Sequence, residues 1–142
     1  MSQVSPPIWR EVRIQTHEFN LGEEEPRIRQ YAHNAGALVA FQGMVREFDQ
    51  AQSLQALFLE HYKGVTEAEI ERIMDEAATR WPLLAAQVIH RVGLLHASEP
   101  IVLVQVCAEH RAEAFSAAQF IMDYLKTQAP FWKREHRTDG SE

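Results

Sequence analysis

Hydrophobic and polar positions along this chain follow two rhythms, and the changes from one to the other mark its elements. The runs ALVAFQGMVR (37–46), LQALFLEHY (54–62), AAQVIHRVGLL (85–95) and PIVLVQVCA (100–108) are rich in β-branched and aromatic residues and are bounded by Gly, Asp, Ser or Pro. They predict four strands. Earlier, VRIQTHEF (12–19) alternates well enough for another strand, and Asn20 followed by Glu23, Glu24 and Glu25 resembles the opening of a short helix reaching about Ala32. Gly36 marks the next turn, and Asp49 to Ser53 reads as a hairpin-like loop.

A three–four spacing takes over twice. The first helix is expected to begin at Thr66, where Thr66-Glu67-Ala68-Glu69 has the form of a capping box; Ile70, Ile73, Met74, Ala77 and Trp81 make its buried stripe, and Pro82 ends it. The second spans Glu113 to Gln128, with Phe115, Ala118, Met122 and Leu125 on one dry face and Lys126 at its border. Pro130 stops that helix, because a proline removes an amide donor and drives Ala129 out of helical geometry. Phe131, Trp132 and Lys133 then turn away from the axis, and Lys133 can fold back toward Lys126. The order of strands, helix, strands, helix points to an α+β fold with a largely antiparallel sheet and two main helices. No repeat or linker divides it, so residues 1–142 read as a single domain with a loose tail from about 136.

Composition narrows the function classes. A chain of 142 residues, 46% apolar and 24% charged, is ordinary for one globular domain and has no apolar run approaching the ~20 residues that span a bilayer. The N-terminus lacks the basic-then-apolar pattern of a secretory signal, and the one cysteine, Cys107, excludes an internal disulfide framework, so a cytoplasmic, reducing location is expected. A net charge of -6 argues against nucleic-acid binding. Yet between Lys126 and Arg137 four Lys or Arg stand against one acid, a local excess of +3 that suggests a focused anion pocket.

Each candidate residue has a bland alternative. Most lysines are solvated, but Lys126 borders an apolar face and Lys133 is enclosed by Phe131 and Trp132, so partial burial beside other cations would leave a usable amine. His110 and Arg111 follow a strand and precede a helix, a junction suited to phosphate; alternatively His110 caps the turn and Arg111 pairs with Glu113. Arg46, alone, is an ordinary surface arginine, and Phe41 and Met44 are packing residues. The seven histidines include no pair at helical three- or four-residue spacing, and no Gly-rich phosphate loop or dinucleotide fingerprint occurs, so no metal or cofactor is indicated. Cys107 shares strand parity with Ile101 and Leu103 and reads as a packed core thiol rather than a nucleophile served by His110. His61 is expected to satisfy a backbone group.

LEHYKGVTEAEI, VIHRVGLL and above all AEHRAEAFSAAQFIMDYLKTQAPFWKRE resemble the large, catalytic subunit family of molybdopterin synthase, a likeness covering about residues 36 to 135. The resemblance implies an α/β-hammerhead fold, a homodimer of large subunits, and a small ubiquitin-like sulfur-carrier subunit at each end. It also implies the reaction: two sulfur atoms pass from the thiocarboxylated C-terminus of the small subunit to cyclic pyranopterin monophosphate, making the dithiolene of molybdopterin. Carried over by motif, Lys126 and Lys133 correspond to the essential lysines, His110 and Arg111 to a substrate-binding pair, and Arg46 to an arginine reaching the substrate phosphate across the dimer interface. Phe41 would line the pocket, with Arg134 a further charge nearby. Family members usually continue with a segment carrying a tryptophan and more basic residues, whereas the sequence ends at Asp139-Gly140-Ser141-Glu142; the segment is either absent or trimmed, and if absent, part of the pocket wall or partner groove would be lost while the core catalytic set remains. A noncatalytic sensor of a phosphorylated metabolite and a pure assembly scaffold are the competing readings.

Overall fold

The computed structural model describes residues 8–49 and 52–137, the side chains of 48, 49, 52–55 and 134–137 excepted. Its elements run β1 (Trp9–Gln15), α1 (Leu21–Arg29), β2 (Ala37–Met44), β3 (Phe48–Asp49), β4 (Gln52–His61), α2 (Val65–Arg80), β5 (Leu83–Arg91), β6 (Gly93–His96), β7 (Pro100–Ala108), α3 (Arg111–Thr127) and β8 (Phe131–Arg137). They build two sheets. The first has the order β1-β5-β7-β2; the second has the order β3-β4-β6, with β8 also pairing β4. The α+β reading holds, and the pairing is antiparallel except between β1 and β5, which run parallel.

Strand parity explains how the first sheet is buried. Ala86, Val88, Val104 and Val106 present one face to α2 and α3, where Ile70, Met74, Ala77, Ala114, Ala117 and Ile121 complete the main core. The opposite parity places Ala85 and Cys107 against Ile28 and Ala32 on the α1 side. With helices on both faces, β5 and β7 can be apolar nearly throughout.

The run 85–95 is two strands rather than one. Gly93 sits at φ 87, a left-handed conformation that costs a glycine nothing, and turns the chain from β5 in the first sheet into β6 in the second. Arg91, almost fully buried, holds the corner: its guanidinium donates to the Thr16 and Pro100 carbonyls, the latter at 2.9 Å, and pairs with Glu99 at 3.0 Å. β8 is an addition to the expected elements: Phe131–Arg137 pairs antiparallel with β4, so His136 and Arg137 are strand where a loose tail was expected to begin, and the rest of that tail, 138–142, lies outside the described residues. The expected hairpin near 49–53 is present, with Asp49 opposite Gln52; residues 50 and 51 lie outside the described residues.

Local starts and faces also differ from expectation. The helix expected at Thr66 begins at Val65 with Gly64 as its cap, the Gly64 N–H donating to Glu67 Oε1 at 2.8 Å, so Thr66 and Glu69 do not form the box. The face of α3 that meets the core is Ala114, Ala117, Ala118, Ile121 and Tyr124, and Phe115 is 62% exposed. The strand expected over 12–19 begins at Trp9 and ends at Gln15.

Beneath α1 lies a buried polar relay. Gln105 donates to Gln87 Oε1 at 2.8 Å, and Gln87 donates in turn to Glu11 (2.9 Å) and Glu24 (3.0 Å). Arg27 closes it with a two-pronged bond to Glu11, both contacts 2.6 Å, and Arg13 reaches Glu24. The Arg27 hydrogen bonds hold the Glu11 carboxyl below its ordinary value of 4.5. Since that folded-state value is depressed, the stabilisation is present above about pH 4.5 and is lost as pH falls through the folded value. Glu11→Gln should therefore lower stability near neutral pH by about 1–2 kcal/mol in urea titrations. The gap to wild type should close in the acid range, and a gap constant down to pH 3 would refute this account of the pair.

Candidate active-site cleft

One cleft of about 1060 Å³ opens where the two sheets meet the C-terminal half of α3. Three segments supply its cations. β2 ends in a bulge between Gly43 and Met44, and buried Val45 then locks to the β6–β7 turn through its N–H to Glu99 O (2.9 Å) and its carbonyl to Ser98 N (2.8 Å). Arg46 emerges next, exposed, on the cleft wall. On α3, Gln119, Met122, Asp123, Leu125 and Lys126 line it as well, a run of three–four spacings on one helix side. β8 contributes Phe131, Trp132 and Lys133, with Lys133 directly opposite Leu59 of β4 and hence on the same sheet face.

The reversal between α3 and β8 brings the two lysines to one cavity. The amides of Gln128 and Ala129 both donate to Tyr124 O, at 2.8 and 3.0 Å, closing the helix; Pro130 follows, and the Phe131 N–H donates to Ala129 O at 2.8 Å. A residue from another element secures this turn. The Thr66 hydroxyl, fully buried, donates to Pro130 O at 3.0 Å and accepts the Tyr62 N–H at 3.0 Å. The Thr66 side chain thus ties the start of α2 to the turn that carries Lys133.

The floor is apolar and aromatic. Leu57, Leu59, Ile101 and Val102 line it with His90, whose ring stacks on Phe131 at 4.0 Å. His90 Nδ1 lies 2.8 Å from Arg91 O; a carbonyl only accepts, so Nδ1 carries the proton and Nε2 is the acceptor nitrogen. Burial pushes the His90 pKa down from 6.5 to about 4, which keeps the ring neutral. Among the described residues the His61 side chain bonds no backbone group; its Nε2 lies 3.8 Å from Glu67, and its ring tilts against Phe131.

The expected residues divide into two groups. Lys126, Lys133, Arg46 and Phe41 share the cleft. Both lysines are exposed, so the partial burial expected for them is not found: the cleft is open and their side chains stand on its walls. His110 and Arg111 do not line it. They are the N-cap and first residue of α3, exposed, about 22 Å of helix away from Lys126. There Gly36 passes so close that a Cβ would lie 2.1 Å from Glu109 O, which only glycine permits, and the His110 side chain does not cap the helix amides. Arg134 lies opposite Phe58 in β8, and its side chain lies outside the described residues. Cys107 is fully buried against α1, its thiol pushed up to about 11 by burial, as a core thiol should be.

Sequence reasoning passed over His90, Gln119 and Asp123, and read Thr66 as a helix start rather than as the anchor of the Pro130 turn. For Gln119 and Asp123 a signal existed, since they precede Lys126 by seven and three residues, a helical line. For Thr66 and His90 it did not, because their partners are distant in sequence or aromatic stacks.

A family model described as MoaE protein matches residues 14–128. The molybdopterin synthase catalytic subunit of Mesorhizobium japonicum is 51% identical over 142 residues, covering all of this chain and 86% of that protein. Among solved structures, the molybdopterin biosynthesis MoaE protein from Burkholderia ambifaria superposes with a TM-score of 0.83 at 44% identity, covering 92% of this chain and 86% of that one. Molybdopterin synthase from Staphylococcus aureus gives 0.81 at 29% identity, covering 92% and 93%. The chain belongs to the MoaE family and has its α/β-hammerhead fold.

Two measurements test this description of the site. Thr66→Val keeps the side-chain shape but leaves the Tyr62 N–H and Pro130 carbonyl unpaired, so it should cost about 1–3 kcal/mol and loosen Lys133, whereas Thr66→Ser should restore both stability and turnover. For His90, the folded value of about 4 lies below the ordinary 6.5, so its contribution is full above about pH 6.5 and is lost as pH falls toward about 4. His90→Gln, which has no proton to gain there, should flatten that portion of the melting-temperature profile; an unchanged slope would show that His90 is not its source.

Proposed function

We propose that this member of the MoaE family is the catalytic, sulfur-inserting subunit of molybdopterin synthase. It converts cyclic pyranopterin monophosphate to molybdopterin with two sulfurs taken from the thiocarboxylated C-terminus of a small ubiquitin-like subunit. One observation carries the reading: Arg46, Lys126 and Lys133, from three separate segments, converge on a single cleft in a chain of net charge -6. The substrate brings a cyclic phosphate and the donor a thiocarboxylate, so two anions must meet, and fixed cations offset their repulsion. Lys126 holds the thiocarboxylate or moves a proton there, Lys133 stabilises charge that develops as sulfur replaces oxygen, and Arg46 takes the phosphate. Phe41 lines the pocket, and Arg134 adds charge to the same strand.

His110 and Arg111 enter from a second copy. β2 is an edge strand, and its length from Ala37 to Met44, about 24 Å, nearly equals the α3 distance that separates the His110 end from the Lys126 end. A two-fold axis near the middle of β2 therefore brings the His110 and Arg111 of one copy to the Arg46 end of the other. Exposed apolar side chains on that side, Phe41, Met44 and Phe115, are the surface such a homodimer would cover. Residues 1–142 act as one domain, in the cytoplasm; among the described residues no helix is long and apolar enough to cross a membrane.

The decisive assay mixes the chain with thiocarboxylated partner and cyclic pyranopterin monophosphate and detects the dithiolene by mass spectrometry. Lys126→Ala should lower turnover more than a hundredfold, consistent with loss of a proton-transfer or charge-stabilising group. Binding without product in wild type would leave only the noncatalytic sensor. Mixing Lys126→Ala chains with His110→Ala/Arg111→Ala chains should regain roughly a quarter of wild-type activity, the statistical share of intact sites if the pair acts across the dimer. No regain places both groups in one copy.

A further inference from the structure

We propose that Asp123 is a specificity-determining residue that accepts hydrogen bonds from the amino-pyrimidine edge of the pterin, an assignment that rests on the functional reading above. Among the described residues lining the cleft, Asp123 is the sole carboxylate, set among Arg46, Lys126 and Lys133. A negative charge there opposes binding of a phosphate and a thiocarboxylate, so it is tolerated only where the substrate presents something other than an anion.

Folding gives an acid at this position one small favourable term, the i,i+4 bond from Gln119, against two unfavourable ones. Asp123 lies in the last turns of α3, where the helix macrodipole is unfavourable to negative charge, and aspartate is a weak helix former. Nor does an ion pair account for it: no Lys or Arg among the described residues pairs with Asp123, although Lys126 is one turn away. Its recorded side-chain contact is with Gln119, whose Nε2 donates to Oδ1 at 3.1 Å. Gln119 also lines the cleft, and its amide occupies one of about four acceptor positions of a carboxylate that stands exposed between this cleft and a smaller groove lined by Glu76 and Arg80.

The substrate class supplies the complement. A pterin carries an N3–H and a 2-amino group side by side, two parallel donors that match the two oxygens of a carboxylate. In a cyclic pyranopterin monophosphate this edge and the phosphate are at opposite ends of the fused rings. Asp123 on α3 and Arg46 beyond the end of β2 line the same cleft from different segments, giving it an acceptor and a cation for the two ends of such a ligand.

The probes are pterin-6-carboxylate and lumazine-6-carboxylate, in which the 2-amino group is replaced by a second oxo group. Wild type should bind the pterin at least tenfold more tightly in fluorescence titrations. Asp123→Asn, whose amide can donate to the 2-oxo group, should erase or reverse that preference, with Asp123→Ala merely erasing it. In the full sulfur-transfer assay, Asp123→Asn should raise KM for the pyranopterin at least tenfold and leave kcat within about threefold. Equal affinity of wild type for the two probes, or an unchanged preference in Asp123→Asn, overturns the assignment. A collapsed kcat with unchanged KM would do so too, since Asp123 would then act through Lys126. Failure of the functional reading itself would show separately, as absence of dithiolene from wild type.

Discussion

The site depends on one constraint, the tight reversal at Pro130. α3 supplies Lys126 and β8 supplies Lys133, and these elements reach a common cavity because the helix is closed on Tyr124 O and the following strand starts within four residues of the helix end. Pro130 makes the reversal obligatory, but a proline only forbids helix and does not choose a direction. Direction comes from elsewhere in the chain. The Thr66 hydroxyl takes the Pro130 carbonyl, and β4 takes the whole of β8 in antiparallel register. Local stereochemistry breaks the helix, and long-range hydrogen bonding decides where the amine goes.

The same division explains what was legible in the residues. α2 and α3, β7 and the Lys126–Lys133 fold-back follow from periodicity and proline placement, which are local. β8 was hidden because FWKREHR is strongly charged and its stabilisation lies in β4, about seventy residues earlier; as a free segment it resembles a tail. Thr66 deceived for a related reason. Its pattern with Glu69 satisfies a capping box, but the hydroxyl is engaged in a tertiary bond, and Gly64 at φ 86 begins the helix two residues earlier. The phase error on α3 was small: Ala118 belongs to the core, while Met122 and Leu125, one step round the helix, are half-buried beside the cleft and leave Phe115 outside.

His110 and Arg111 show a different limit. Their residue types and their place at an uncapped helix N-terminus were readable, as was their suitability for an anion. Spatial partnership was not, because a contiguous motif in sequence becomes the two ends of a rod about 22 Å long once it folds as helix. A segment of this kind can serve one site with both ends only if two copies lie antiparallel. Under the proposed dimer, the motif is long because each copy contributes to two sites.

Assembly also bears on how strong these charges are. In the single chain both lysines and Arg46 stand in an open cleft, exposed to water that weakens every charge–charge term, so three like charges converge there at modest cost. The floor is prepared otherwise: His90 is neutral and stacked on Phe131, and Leu57, Leu59, Ile101 and Val102 offer no polar group. A donor tail inserted over such a floor, with a second copy across the mouth, would expel water and bring the cations into a medium where they bind anions far more strongly. Under the proposed function, free chains would tolerate their own repulsion, and the electrostatic power for sulfur transfer would develop when both anions are in place. The exposure of Lys126 and Lys133 is, on this argument, the state expected of a site awaiting its partner.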